Sequence, residues 1–117
     1  MENQTNREYG LATAEQVAGL DGLTVLKKLV SGELPAPSIC KQLSFHLVEA
    51  SFGFAAFEGE TGHHLHNPFG GVHGGWALTL IDSAAGCAGH SILPCDTGYV
   101  TVETKGNFSK PIRPDTG

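Results

Sequence analysis

The stretch from His66 to His90 constrains the possible fold of this chain more than any other part of it. It begins as a glycine-rich loop and continues from Trp76 as a run of apolar and small residues that contains one acid, Asp82. Apolar residues on nearly every side predict a buried helix over residues 75–91. Glycines at a helix start let backbone N–H groups approach a ligand, and the helix dipole favours negative charge there. The stretch therefore predicts an oxyanion-binding turn, with Asp82 as the chemical group.

The composition is that of one globular domain spanning residues 1–117, with 40% hydrophobic and 16% charged residues. A net charge of -5 and the lack of a Lys/Arg cluster argue against a nucleic-acid partner. No segment has the apolar length of a membrane span or the pattern of a secretory signal, so we expect a cytoplasmic protein without a membrane partner. The three cysteines form no CxxC pair, which favours reduced thiols.

Spacing and turn residues predict the remaining elements. We expect a flexible leader over residues 1–12 and a helical segment over 13–32, as one helix or two short ones. Alternating apolar residues predict an antiparallel hairpin over 42–59 and a further strand over 98–109. One helix and three strands leave the sheet too small to cover the helix, so we expect further strands beyond the present C-terminus.

Each candidate for chemistry has a structural alternative. An acid in a buried helix is rare unless it is paired or used, and the alternative role for Asp82 is to cap a loop N–H or pair with a histidine. The turn His73-Gly74-Gly75 lacks GxGxxG and GK[ST] patterns, so it is not a nucleotide loop, and alone it is an ordinary helix start. Ser83 and Ser91 lack the GxSxG setting of a serine hydrolase.

Histidines cluster at His63, His64 and His66, with His73 close by. A metal site would need carboxylates or thiols at ligand spacing, and none accompanies this cluster. A polar loop tolerates histidines freely. We therefore expect neither a metal nor a cofactor.

With Asn67-Pro68 before the His73-Gly74-Gly75 turn and Asp82 nine residues after His73, the chain resembles the hotdog-fold acyl-CoA thioesterases, specifically the phenylacetate-degradation type subgroup. The resemblance covers about residues 20–114. The matching features are Gly32-Glu33-Leu34-Pro35, Asn67-Pro68, Gly71-Val72-His73-Gly74-Gly75, Asp82 nine residues after His73, Thr101-Val102-Glu103, Asn107-Phe108 and Pro111.

The resemblance implies an α+β hotdog fold, in which an antiparallel sheet wraps around one long buried helix. It also implies an acyl-CoA substrate and a homo-oligomer, as a dimer or a tetramer made of two dimers, whose active sites use both chains. By the same resemblance, the Gly74 N–H would polarise the thioester carbonyl. Asn67 would hold that carbonyl or position water, and Asp82 of the partner subunit would be nucleophile or general base. Thr101 would orient the attacking water, and His73 would shape the turn.

Substrate contacts are expected from Gly75 and from the aromatic residues Phe69 and Trp76, which would line an acyl pocket unless they are plain core or interface. The chemistry is consistent with this site, because thioester hydrolysis develops an oxyanion and a thiolate leaves without help from an acid.

Two other functions stay open. One is a hotdog dehydratase acting on hydroxyacyl thioesters, with His73 and Asp82 as its catalytic pair, and the other is a non-catalytic acyl-CoA-binding protein.

The spacing of the turn and the acid adds a constraint of its own. Gly74 and Asp82 lie about 12 Å apart along one helix, at a 1.5 Å rise per residue. One small thioester cannot meet both. The pattern therefore predicts a split site, with the turn from one subunit and the acid from another.

Overall fold

The computed structural model describes residues 7–114, so residues 1–6 of the expected leader and residues 115–117 lie outside the described part of the chain. The described chain has a mixed architecture of helices around one antiparallel hairpin, which confirms the predicted α+β class and is consistent with part of a hotdog fold. In chain order the elements are α1 (Ala14–Val17), α2 (Gly22–Ser31), α3 (Ser38–Gln42), β1 (Phe45–Ser51), β2 (Phe54–Gly59), a 3-10 turn (His63–Leu65) and α4 (Gly74–His90).

The N-terminal helices begin at side-chain caps. Thr13 and Gln16 form a capping box, with bonds of 3.1 Å from the Gln16 N–H to Thr13 Oγ1 and 2.8 Å from the Thr13 N–H to Gln16 Oε1. Asp21 caps α2. Gly19, between the two helices, has a φ of 73° that a continuing helix does not allow. Residues 13–32 therefore hold two helices.

The hairpin joins its strands through a two-residue turn, Phe52 and Gly53, and the φ of 78° at Gly53 explains the glycine. Pairing runs from Phe45 opposite Gly59 to Ser51 opposite Phe54, with an irregularity between Leu47 and Glu49. The start of β1 is fully buried. The apolar core lies there, among α2, α3 and β1, and its members are Leu26, Leu34, Ala36, Cys40, Phe45 and Leu47, with Leu65 and Val72 from the loop before α4.

Helix α4 rests on the hairpin but is not buried by it. The Trp76 indole N–H donates to the Leu43 carbonyl at 2.7 Å, and its ring lies against Gly59. No residue of α4 is fully buried, and Ile81 is 53% exposed. The expected buried helix is thus only half covered, because two strands reach one side of it. None of the helices within residues 7–114 is long and apolar enough to cross a membrane.

The strand predicted over residues 98–109 is not formed in the described chain. This segment runs along α4 instead, with Tyr99 against Gly86 and Gly106 near the Leu78 side chain. Strand-forming residues such as Val100 make a strand only where a neighbouring strand accepts their backbone hydrogen bonds. Here the neighbour is a helix, so the segment stays extended and unpaired.

The approach of α2 to the end of α4 depends on Gly22. Its N–H donates to the Leu93 carbonyl at 3.0 Å, and a Cβ at this position would overlap the His90 carbonyl. A Cβ at Gly89 would meet nothing within 4 Å.

We expect Gly22→Ala to lower the free energy of unfolding by about 1–3 kcal/mol, because the two helices must separate. Gly89→Ala, the matched control, should raise it by roughly 0.5–1 kcal/mol through helix propensity. Urea unfolding measures both. Equal effects of the two substitutions would contradict the close approach of these helices.

Candidate functional site

Asp82 lies in the middle of α4 and is held by two threonine hydroxyls. Thr101 Oγ1 donates to Asp82 Oδ1 at 2.8 Å, and Thr104 Oγ1 donates to the same oxygen at 3.2 Å. Within residues 7–114 the other oxygen, Oδ2, has no hydrogen-bond partner. The carboxylate is half-buried, so it is both oriented and accessible. One oxygen is fixed, and the other can act on a ligand.

The resemblance indicated Thr101, whereas Thr104 was missed. Alternation in a strand would place residues 101 and 104 on opposite faces. Because the segment is not a strand, both hydroxyls reach one carboxylate. The sequence carries no signal that distinguishes a strand from an unpaired segment at these residues.

The turn before α4 is organised by His73. Its Nδ1 accepts from the Gly75 N–H at 2.9 Å, and its carbonyl accepts from the Trp76 N–H at 3.0 Å. In the described chain the Gly74 N–H has no hydrogen-bond partner, and the Phe108 ring lies against Gly74. The helix start therefore offers one N–H, at Gly74, while the Gly75 N–H is occupied.

Asn67 orders the loop that leads into this turn. Its Oδ1 accepts from the N–H groups of Phe69 at 2.9 Å and Gly71 at 3.1 Å, and its own N–H donates to the Gly71 carbonyl at 2.8 Å. The side-chain oxygen is therefore used within the loop. Only the amide nitrogen Nδ2 is left to meet a ligand.

The two aromatic residues expected at the substrate are not brought together. Phe69 is 95% exposed, and the indole N–H of Trp76 is bonded to the hairpin. Neither lines the cavity or the groove described next. In the described chain neither aromatic residue contributes to the concave surfaces at Asp82.

Two concave surfaces meet at Asp82 and Tyr99, which line both. The first is a cavity of about 190 Å³ beneath α4, and the second is an open groove of about 630 Å³ along the segment after α4. The cavity is lined by Arg7, Leu29, Ala36, Pro37, Ile39, Cys40, Phe45, His46, Leu47, Phe57, Ser83 and Cys87 as well. The groove adds Ile81, Ala85, Gly86 and Thr101 to Lys105.

Burial keeps two thiols and one phenol of the cavity wall in their neutral forms. Burial, reinforced by Cys40, raises the pKa of the Cys87 thiol to about 11, and burial also raises the pKa of Cys40. Neither thiol is a thiolate nucleophile near neutral pH. Burial, then Cys87 and Asp82, raises the pKa of the Tyr99 phenol, which therefore stays a hydrogen-bond donor.

His46 is 5% exposed, and its Nδ1 has no hydrogen-bond partner within residues 7–114. Burial, followed by the positive charge of Arg7, lowers the pKa of His46 despite the nearby acids Glu58 and Glu60. The imidazole is therefore neutral at neutral pH. His46 takes a polar position between the apolar residues Phe45 and Leu47, where alternation in a strand would place it on the opposite face, yet all three are buried.

The histidine cluster forms local contacts. The rings of His63 and His66 meet edge to face at 5.1 Å, and His64 Nε2 lies 3.0 Å from Ser44 Oγ. Among the described residues, no group of three or more His, Cys, Asp or Glu side chains is arranged to hold a metal ion.

The neutral, buried His46 makes stability depend on pH. Its folded-state pKa lies below the ordinary value of 6.5, so the unfolded chain binds more protons as pH falls through that value. We expect this residue to reduce the free energy of unfolding by up to ~1.4 kcal/mol per pH unit between pH 6.5 and the lower folded-state pKa. Urea unfolding of the parent and of His46→Gln across this range measures the effect. Parallel pH profiles would contradict it.

Comparison with known proteins gives one match. A family model described as Thioesterase superfamily matches residues 69–116, a range that includes the Gly74 turn, Asp82 and both threonines. The match is at the level of the superfamily and supports no subgroup. Searches among curated proteins and among solved structures found no match.

Proposed function

We propose that this protein hydrolyses acyl thioesters, with acyl-CoA as the substrate. The oxygen of water adds to the thioester carbonyl carbon, the C–S bond breaks, and the products are the free acid and the thiol. The observation that carries the proposal is the position of Asp82, whose carboxylate is held by Thr101 and Thr104 where the cavity meets the groove. All three residues lie within the range that the Thioesterase superfamily matches.

Asp82 is the group that attacks the carbonyl carbon or removes a proton from the attacking water. Its Oδ2 has no partner in the described chain, while Oδ1 is fixed by the threonines. Either route works without a catalytic acid, because coenzyme A leaves as a stable thiolate. Thr101, at 2.8 Å from the carboxylate, orients the carboxylate and the water beside it.

The Gly74 N–H is the oxyanion donor. It stands at the N-terminus of α4, where the helix dipole favours the charge that develops on the carbonyl oxygen. His73 holds the turn through its Nδ1 and Asn67 holds the preceding loop through its Oδ1. The Asn67 amide nitrogen is the second donor toward the carbonyl.

The donor and the acid act on one substrate only if they come from two chains. Gly74 and Asp82 are separated by about 12 Å along α4, at 1.5 Å per residue. Large apolar side chains beside the acid are exposed in a single chain, including Ile81 at 53%, Val100 at 84% and Val102 at 94%. Covering them with a second copy would bury apolar area and bring in the missing donor. The active form is therefore a homodimer, or a dimer of such dimers.

The dehydratase alternative is less compatible with the turn. It needs His73 as a catalytic base, and the Nδ1 of that ring already accepts the Gly75 N–H. Formation of an enoyl product from a hydroxyacyl-CoA would nevertheless support it. Binding of acyl-CoA without thiol release would support the non-catalytic alternative.

Asp82→Asn should lower kcat for thioester hydrolysis by roughly 10²–10⁴-fold, because the amide cannot act as base or nucleophile. Its oxygen still accepts the Thr101 hydroxyl, so the fold is retained. Release of free thiol from acetyl-, butyryl- and phenylacetyl-CoA measures the rate. Thiol release that Asp82→Asn leaves unchanged would remove this residue from the mechanism.

Gly74→Pro deletes one N–H and little else. Proline suits the first position of a helix, and His73 has the extended backbone (φ -65°, ψ 128°) that a residue before proline needs. We expect kcat to fall by roughly 10²–10³-fold, the cost of one oxyanion donor. Gly74→Ala, the matched control, keeps the N–H and should lose much less. Equal losses in both variants would show that added bulk beside Phe108 is responsible.

Mixing the two inactive variants, Asp82→Asn and Gly74→Pro, tests the split site directly. A mixed dimer contains one site with both groups intact, so about one quarter of the parent activity should return after subunit exchange. Light scattering should show a dimer or a larger particle. A stable monomer with full activity would contradict the two-chain site.

A further inference from the structure

We propose that the Tyr99 hydroxyl is a further catalytic group, which donates a hydrogen bond to the sulfur atom of the thioester as the C–S bond breaks. This inference rests on the proposed thioester hydrolysis. It adds to that activity a residue that acts on the leaving group, whereas Asp82 and Gly74 act on the carbonyl.

Tyr99 lies where the two concave surfaces meet. Among the described residues that line the cavity beneath α4, Tyr99 and Asp82 also line the open groove. A thioester likewise has two parts, the acyl group and the arm of coenzyme A, and the C–S bond joins them. When the cavity holds one part and the groove holds the other, that bond lies at the junction. With the carbonyl carbon at Asp82, the sulfur atom lies beside Tyr99.

The segment after α4 brings the phenol and the carboxylate to the same side of that helix. Thr101 Oγ1 donates to Asp82 Oδ1 at 2.8 Å. Tyr99, two residues earlier, places its ring and hydroxyl against Gly86, and residues two apart in an extended segment share a face. Gly86 follows Asp82 by about 6 Å along the helix axis, at 1.5 Å per residue. This spacing leaves room for a ligand bond between the carboxylate and the phenol.

Packing fixes the position of the phenol ring. A Cβ at Gly86 would overlap the Tyr99 hydroxyl and would lie 2.8 Å from a carbon at the ring edge. On another side the ring meets the His90 imidazole, at 5.7 Å between centroids. The absence of a side chain at position 86 therefore admits the phenol to the surface of α4.

The Tyr99 hydroxyl is available to a ligand. It has no hydrogen-bond partner within residues 7–114, and the residue is 49% exposed. Burial, followed by the charges of Cys87 and Asp82, raises the pKa of the phenol. The oxygen therefore keeps its proton near neutral pH and can donate it to a hydrogen bond.

The phenol donates a hydrogen bond without losing its proton. When the C–S bond breaks, its electron pair moves to sulfur, and the O–H group bonds to the resulting thiolate. A thiol has an ordinary pKa of ~8.5, below the ~10 of a phenol, and the pKa of Tyr99 is raised further. Coenzyme A therefore leaves as the thiolate. The step is the same whether Asp82 attacks directly or activates water, because the C–S bond breaks in both routes.

Leaving groups of different basicity test this contact. Butyryl-CoA releases an alkyl thiolate, whose charge is localised on sulfur, whereas S-phenyl thiobutyrate releases thiophenolate, whose charge spreads into the ring. We expect Tyr99→Phe, which removes only the hydroxyl, to lower kcat/KM for butyryl-CoA by about 10–100-fold, the range of a hydrogen bond to a charged group. For S-phenyl thiobutyrate the loss should be about threefold or less, because the less basic sulfur forms a weaker hydrogen bond.

Gly86→Ala should reproduce this difference between leaving groups, because the added methyl group displaces the phenol. Gly89→Ala, the matched control, adds a methyl group that meets nothing within 4 Å and should keep the parent's ratio of the two rates. Each comparison uses two substrates on one protein, so partial unfolding of a variant does not alter it. Equal losses on both thioesters in Tyr99→Phe, or no loss on either, would overturn the role of Tyr99.

Binding of coenzyme A itself separates this inference from the proposed function. At about pH 9.5 the free thiol is ionised and the phenol is neutral. In Asp82→Asn, whose amide does not repel an anion, calorimetry should show that coenzyme A binds about tenfold more tightly than desulfo-coenzyme A, which carries hydrogen in place of the thiol. Addition of Tyr99→Phe to this variant should make the two affinities equal.

The two failures are distinguishable. If this Tyr99-dependent preference is found while the parent hydrolyses no thioester, the sulfur contact stands and the hydrolase proposal fails. If thioesters are hydrolysed in an Asp82-dependent way while Tyr99→Phe loses activity equally on both leaving groups, the hydrolase proposal stands and the sulfur contact fails.

Discussion

Two hydrogen bonds, from Thr101 and Thr104 to Asp82, connect the segment after α4 to that helix, and the candidate site depends on this connection. Helix α4 rests on the hairpin, while the segment after it has no strand partner in the described chain. The hydroxyls of Thr101 and Thr104 tie that segment to the middle of the helix. One carboxylate oxygen therefore both fixes the chain and orients the acid. Asp82 lines both the groove and the cavity at this point.

A second set of hydrogen bonds organises the start of α4. An α-helix begins with backbone N–H groups that have no partner within it. His73 satisfies one of them, at Gly75, through its ring nitrogen, and this leaves the N–H of Gly74 to a ligand. Asn67 acts in the same way in the loop before α4, where its side-chain oxygen accepts hydrogen bonds from two backbone N–H groups. The side chains of His73 and Asn67 are thus engaged in ordering the backbone of the turn and of the loop before it.

Part of the fold and of the candidate site could be predicted from the sequence. The glycine-rich turn located the start of α4 to within one residue, whereas the role of Asp82, the lone acid in the apolar run, stays a prediction. The α+β class, which the resemblance implied, is confirmed by the helices and the antiparallel hairpin. The predicted burial of α4 is only half fulfilled in the described chain, because apolar residues reveal that a surface needs covering and not what covers it. The exposed side of α4 is one observation on which the proposed dimer rests.

Other features depend on contacts between distant parts of the chain. His46 occupies a polar position of an alternating strand, yet it is buried, as are its neighbours Phe45 and Leu47. Arg7 reaches the cavity beneath α4 from a segment that carries no secondary-structure pattern in the sequence.

The symmetry of the proposed dimer follows from the position of Gly74 and Asp82 on one helix, α4. Two copies that exchange these ends must run their α4 helices antiparallel, with the two-fold axis passing near Leu78, midway between them. Leu78 would then meet its own counterpart, so any change of volume there acts twice at the centre of the interface.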